Sequence, residues 1–330
     1  MSKKALILGI SANIGSAVGE ELLCRGYDIT GYSRSKPTHT GLKDVRWIQG
    51  DRADRNSFKK LLRVSKYDVV IDMAAFKHED VEYAFETFRD CGHYVVASSA
   101  AVYGIVPLNL QPIREDIPLN PVSEYGKNKV AVEKFCTGMH RIYNWPVTII
   151  RPNHTYGRLN SVFRHINQEN YWLDRILKGK PIIVGNGQIY RSFTHVEDTA
   201  RMVAGILEHP EKTIGQVYNT TNMYANTWAE WHAGVMQALG KKTQLVELTC
   251  DFLKPYNPPG YFSFSTSWQY NSICCTKKLR SDIEFTQQIT LEEGLKKQIE
   301  YVLQRDLIPN CEESLWEDVV IADYRKTLTK

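Results

Sequence analysis

Ala5-Leu6-Ile7-Leu8-Gly9-Ile10-Ser11-Ala12-Asn13-Ile14-Gly15 stands almost at the start of the chain, and how it is read decides the fold. Four apolar residues in succession are too few for a helix and fit a strand buried on both faces. Gly9 breaks the run, and the Ala/Val/Glu/Leu stretch near 14–25 then takes on helical character. In such a strand–turn–helix, glycine lets the backbone approach a pyrophosphate closely. The helix N-terminus adds free amides and a favourable dipole. Gly9, Ala12, Asn13, Ile14 and Gly15 are therefore the candidate phosphate cradle of a dinucleotide.

Short apolar runs recur at 28–32, 45–48, 68–73, 93–98 and 146–150, with helix-like stretches near 55–65, 79–90 and 124–142. Parallel strands need crossovers, and this alternation supplies them. The expected fold is α/β, a Rossmann-type doubly wound parallel sheet with a smaller α/β substrate lobe. Residues 1–155 are expected to form the dinucleotide-binding domain, with return segments near 190–222. Residues 156–189 and 223–305 would form the substrate lobe. After Arg151 the pattern loosens, and strands near 181–184 and 216–219 mix with helices near 168–178, 196–208, 226–239 and 290–304. The tail from 306 to 330 is weakly amphipathic and carries no readable role.

Composition narrows the classes. The 330 residues are 43% hydrophobic and 24% charged with a net charge of +4, ordinary for a globular protein. Basic residues cluster no more densely than Lys241-Lys242 and Lys277-Lys278, so a general nucleic-acid surface is not expected. The seven cysteines show no metal-ligand spacing, so no metal site is expected, and their odd number fits reduced thiols. The leading apolar run is too short for a signal segment, and no stretch approaches 18 apolar residues. The expectation is a cytoplasmic protein with no membrane partner.

Two features sharpen the chemistry. The second strand ends in Tyr32-Ser33-Arg34-Ser35. A carboxylate there would hold the ribose diol of NAD, whereas Ser33 and Arg34 suit a 2′-phosphate, so NADP is favoured over NAD. Tyr-x-x-x-Lys occurs twice, and with 18 tyrosines chance alone produces such matches. Tyr32/Lys36 precedes Pro37, which disfavours a helix at Lys36. Tyr125/Lys129 lies in the helical run Ser123-Glu124-Tyr125-Gly126-Lys127-Asn128-Lys129, where i and i+4 share a face. An ammonium beside the phenol would lower its pKa from about 10 and make Tyr125 an acid/base. Val95-Val96-Ala97-Ser98-Ser99 would deliver a hydroxyl at the ligand-binding end of a buried strand.

These motifs, in this order, resemble the extended and atypical short-chain dehydrogenase/reductase superfamily, of the NAD-dependent epimerase/dehydratase kind. Gly9 to Gly15 is similar to that group's Gly-x-x-Gly-x-x-Gly, with Ala12 at the middle glycine. Ser98-Ser99-Ala100-Ala101-Val102-Tyr103-Gly104 is similar to its Ser-Ser-x-x-Val-Tyr-Gly signature. The resemblance implies Ser99, Tyr125 and Lys129 as catalytic residues. It places Asp51 against the adenine, with Arg52, Ala74, Ala75 and Lys77 also along the cofactor. Ala100-Ala101 stand where sugar-nucleotide 4,6-dehydratases carry Asp-Glu, so dehydration acids are missing.

Ser99, Ala100, His154 and Arg191 are the implied substrate contacts, Arg191 pairing with a diphosphate. His195 and Asp198 are read as structural. Only 22 residues separate Ala75 from Ser98, whereas relatives usually have a longer helix there that often forms a dimer interface. A homodimer therefore stays open. The implied function is an NAD(P)-dependent oxidoreductase or epimerase acting on a nucleotide-linked sugar as small-molecule substrate. The alternatives are an NADPH-dependent reductase of a non-nucleotide carbonyl compound, or a non-catalytic RNA-binding or regulatory protein on the same fold.

Overall fold

A computed structural model describes residues 2–63 and 65–329. Contacts divide it into two units: Met1–Thr155 with Thr194–Met223 and Cys274–Gln288, and Tyr156–Phe193 with Tyr224–Ile273 and Ile289–Lys330.

The first unit is built on seven strands: β1 (Lys4–Leu8), β2 (Asp28–Ser33), β3 (Arg46–Gln49), β4 (Val69–Asp72), β5 (His93–Ala97), β6 (Val147–Pro152) and β7 (Val217–Thr220). They pair in parallel in the order β7-β6-β5-β4-β1-β2-β3. Helices α1 (Asn13–Cys24), α2 (Arg55–Leu62), α3 (His78–Phe88), α4 (Glu124–Tyr143) and α5 (Val196–Glu208) make most of the crossovers. Alternate strand residues divide between two cores. Ala5, Ile7, Val69 and Ile71 pack with α1 and α5 residues such as Val18 and Val203. Leu6, Leu8, Val70 and Val96 pack with Phe58, Val81 and Val132 of α2, α3 and α4. Burial on both faces is the physical reason these strands read as unbroken apolar runs. Each buried Val, Leu, Ile or Phe among them contributes about 1.5–3 kcal/mol.

Local signals set the ends of the helices that matter most. Ser123 caps α4 by accepting from the Gly126 amide at 3.1 Å, and Asn144 closes it in the left-handed conformation at φ 53°. α3 has only 11 residues, the structural counterpart of the short interval before Ser98.

The second unit has an aromatic core in which Trp172, Trp228, Trp231 and Phe193 are fully buried. The tail ends in a helix, Trp316–Leu328. Glu317 is buried and accepts from Arg164 at 2.7 Å and from the Ile183 amide at 2.8 Å, while Arg175 forks onto Asp318. Among the described residues no helix is long and apolar enough to cross a membrane. None of the His, Cys, Asp and Glu residues there gather into a group able to hold a metal ion.

Candidate active site

The cradle is shaped by what its glycines leave out. Gly9 has φ +86°, a conformation that other side chains rarely adopt. A Cβ on Gly15 would lie 2.2 Å from the Gly9 carbonyl oxygen, so the first turn of α1 can close on the loop only with glycine there. No side chain caps α1, and its first turn carries no acid. Its leading amides therefore suit a phosphate, and these residues fit a dinucleotide.

At the end of β2 the two expected cofactor contacts behave differently. Ser33 is buried, donates to the Ser35 carbonyl at 2.8 Å and accepts from the Trp47 indole at 3.1 Å. Arg34 is exposed. Ser35 lies within 3.4 Å of Ser11 of the cradle, so a hydroxyl-lined edge flanks the Arg34 position. Tyr32 is buried at the strand end and Lys36 sits in an exposed, non-helical loop, so that second Tyr-x-x-x-Lys shares no helix face.

Asp51 is exposed and accepts from the Ala53 amide at 2.9 Å. Arg52 departs from expectation. Its guanidinium turns inward and grips Asp72 with two bonds of 2.8 and 3.0 Å, leaving chiefly its backbone for a cofactor. Lys77 is exposed at the start of α3 and lines a cavity of about 350 Å³ with Arg52, Arg55, Asp80 and Tyr83. That places it beside the Arg52 turn, in the segment whose Ala74 abuts Gly9.

The reacting end gathers at the tip of β5. Gly126 follows Tyr125, and a Cβ there would meet the Ala101 carbonyl at 2.7 Å and Pro121 at 2.8 Å. Its absence lets α4 approach the Ala100–Tyr103 turn and brings Tyr125 to Ser99. Burial pushes Tyr125 above its ordinary value, and the nearby Ser99 hydroxyl opposes that shift by favouring the ionised phenol. Lys129 lies 5.6 Å from the Tyr125 ring and donates instead to the carbonyls of Ala75 at 2.6 Å and Ala97 at 2.7 Å. The expectation that the ammonium itself lowers the phenol is thus corrected: two carbonyls engage it more closely. Ala74 is partly buried, Ala75 and Ala100 are buried, and none of these brings a polar side chain.

Beneath the pair runs a buried network that the sequence reading did not find. Ser98 donates to Glu133 at 2.5 Å, and Arg151 forks onto Glu133 at 2.8 and 2.6 Å. Arg151 also donates to the Tyr103 hydroxyl at 2.8 Å, which donates to Asn219 at 2.6 Å. Glu133 lies one turn beyond Lys129 on the same helix face, the clue that was available. Phe76, half-exposed with its ring 5.0 Å from the Lys129 ammonium, was also missed.

His154 holds its ring against Asn153 Oδ1 at 3.0 Å. Arg191, in the second unit, is 5% exposed and one guanidinium nitrogen donates to the carbonyls of Ser267 and Tyr270 at 3.1 and 2.9 Å. A diphosphate role would fall to its other guanidinium nitrogens.

Burial pulls Lys129 down to about 8, with Arg52 acting in the same direction and Asp72, Asp80 and Glu133 opposing. An exposed lysine titrates near 10.4. Between those values the unfolded chain binds the extra proton, so stability rises with pH across that window. Below about pH 8 the buried charge costs its full amount, on the order of 3 kcal/mol. Lys129→Met should therefore be more stable than the parent at pH 7, with the gap shrinking by about 2–3 kcal/mol at pH 10. Denaturant midpoints of both proteins at the two pH values check this, and a pH-independent gap would contradict it.

Residues 5–220 match the NAD dependent epimerase/dehydratase family. The chain is 29% identical over 231 residues to the chloroplast stem-loop binding protein of 41 kDa b from Arabidopsis thaliana, covering 66% of this chain and 58% of that protein. The match thus spans less than two thirds of that relative. A UDP-glucose 4-epimerase from Lactobacillus helveticus is 29% identical over 260 residues, covering 68% of this chain and 78% of its own. In fold, the chain is similar to UDP-glucuronic acid 4-epimerase from Bacillus cereus, with a TM-score of 0.72, 20% identity, and coverage of 92% and 99%.

Proposed function

This chain belongs to the NAD dependent epimerase/dehydratase family of short-chain dehydrogenase-type enzymes, and on that premise we propose that it is an NAD(P)-dependent oxidoreductase or epimerase of a nucleotide-linked sugar. The observation that carries this reading is the meeting of Ser99, Tyr125 and Lys129 at the tip of β5, the end at which open parallel sheets bind ligands. A nicotinamide bound through the Gly9–Gly15 cradle supplies the hydride acceptor or donor. Tyr125 takes the proton of a sugar hydroxyl during oxidation, or returns one to a carbonyl during reduction. Ser99 steadies the oxygen on which charge develops. Lys129 keeps its ammonium seated on the Ala75 and Ala97 carbonyls, 5.6 Å from the Tyr125 ring.

The cofactor reading is NADP over NAD. With no carboxylate at the end of β2, a 2′-phosphate meets no repulsion, and the exposed Arg34 is placed to pair with it. NADPH should bind about ten- to a hundredfold more tightly than NADH, and Arg34→Ala should erase most of that difference. Fluorescence titration of both cofactors decides; equal affinities in the parent protein would reject the assignment.

One observation favours a second reading, a reductase of a non-nucleotide carbonyl compound: Arg191 is already engaged by Ser267 and Tyr270. A thermal-shift panel of nucleotide sugars, run with the dinucleotide present, separates the two. A ligand that binds only the folded state raises the melting temperature. Stabilisation by one nucleotide sugar supports the first reading, and none by any favours the second.

A further inference from the structure

Asp72 ends β4 with its carboxylate fully buried, and each of its oxygens accepts two hydrogen bonds. Oδ1 takes the Arg52 guanidinium at 2.8 Å and the Ala74 amide at 2.9 Å. Oδ2 takes the second Arg52 nitrogen at 3.0 Å and the Tyr94 hydroxyl at 2.6 Å. Arg52 continues the chain of contacts, donating to the Asp80 carbonyl at 2.9 Å and lying 3.4 Å from its side chain. Asp80 Oδ2 in turn accepts the amides of Phe76 and Lys77 at 2.8 and 2.9 Å. One carboxylate thereby ties together the turn after β3, the turn after β4, the start of α3 and the strand β5.

Stability alone is a weak reason for this arrangement. Replacing a buried ion pair with packed apolar residues is often neutral or stabilising, because desolvation offsets the attraction. What the pair does supply is geometry: a forked guanidinium bound to a carboxylate fixes both partners in distance and angle. It also lies at the carboxyl ends of the strands, where the two turns it joins carry Asp51 on one side and Ala74 to Lys77 on the other. Ala75 in the second turn offers the carbonyl that seats Lys129.

We propose that Asp72 is a positioning residue for the bound dinucleotide, acting through Arg52 and Asp80 to hold the turns Asp51–Ala53 and Ala74–Lys77 in their binding arrangement. This rests on the cofactor reading given above. Asp72 touches no cofactor itself. It acts equally on NADH and NADPH, because the choice between them lies at Arg34.

Two variants test this in the full chain: Asp72→Asn, and the triple variant Arg52→Met/Asp72→Leu/Tyr94→Phe, which removes both charges and the hydroxyl together. Kd values for NADH and NADPH are measured by fluorescence titration, and thermal melts establish that each variant is folded. The expected result is a loss of about tenfold or more for both cofactors, with their ratio unchanged. The triple variant should show that loss while melting within a few degrees of the parent, which a purely structural role would not produce. Parental Kd values in the folded triple variant would overturn the proposal and leave the cofactor reading standing. A parent protein that binds neither NADH nor NADPH would overturn both.

Discussion

Tyr125→Phe is expected to lower turnover about 10²–10⁴-fold while leaving NAD(P)H affinity within a few-fold of the parent. The substitution deletes one hydroxyl from a ring that is half-exposed at the mouth of the site. The cradle and the Arg34 edge are built from other elements, so the binding of the dinucleotide should not register the change. The loss should appear in kcat and kcat/KM together, since the proton moves only in the transition state. Steady-state kinetics on the accepted substrate give the answer, and a loss below about tenfold would contradict the acid/base role. Ser99 is the partner that can lower the phenol in the unliganded chain, so Ser99→Ala should shift the pH profile of the remaining activity upward.

Glu133→Ala should destabilise the first unit by about 3–5 kcal/mol, a large share of the roughly 5–15 kcal/mol by which domains are stable. Glu133 is buried, and its two oxygens accept from Ser98 and from both arms of the Arg151 fork. Truncation leaves the buried Arg151 guanidinium without its counter-charge, and that uncompensated charge is the main cost. Burial opposes the guanidinium charge; Glu133 and Tyr103 more than compensate and raise its pKa. A melting temperature lower by on the order of 10 °C is expected. A shift of only a degree or two would mean that water or another acceptor replaces the carboxylate. Glu133→Gln, which keeps a polar partner, should fall between the two.

The sheet was legible in the sequence because both of its faces are covered. Runs such as Ala5–Leu8 and Val69–Ile71 are apolar at every position, and that pattern advertises double burial without any partner being known. Gly9, Gly15 and the pair Tyr125/Lys129 were legible for a similar reason: local geometry gives each its meaning. What the sequence concealed depends on partners distant in the chain. Asp72 breaks an apolar run, which is a signal, yet nothing local says that its fork comes from Arg52. Arg191 sits in a segment that suggests phosphate, but the carbonyls engaging it belong to Ser267 and Tyr270. The final helix packs Val320 and Ile321 inward, but nothing local says that Glu317 ties it to Arg164, far earlier in the chain. Likewise, Cys274–Gln288 joins the first unit although neither composition nor periodicity marks it.

On the proposed function, Tyr125 works with a bound nicotinamide on the carbinol carbon of a nucleotide sugar. An NMR assay tests this on a panel of nucleotide sugars and their keto forms, each incubated with the protein and NADP or NADPH. The predicted result is one substrate whose carbinol carbon changes configuration or oxidation state, with the change slowed at least about a hundredfold by Tyr125→Phe. Sugars left unchanged across the panel while the dinucleotide is demonstrably bound, or equal conversion by the variant, would contradict it.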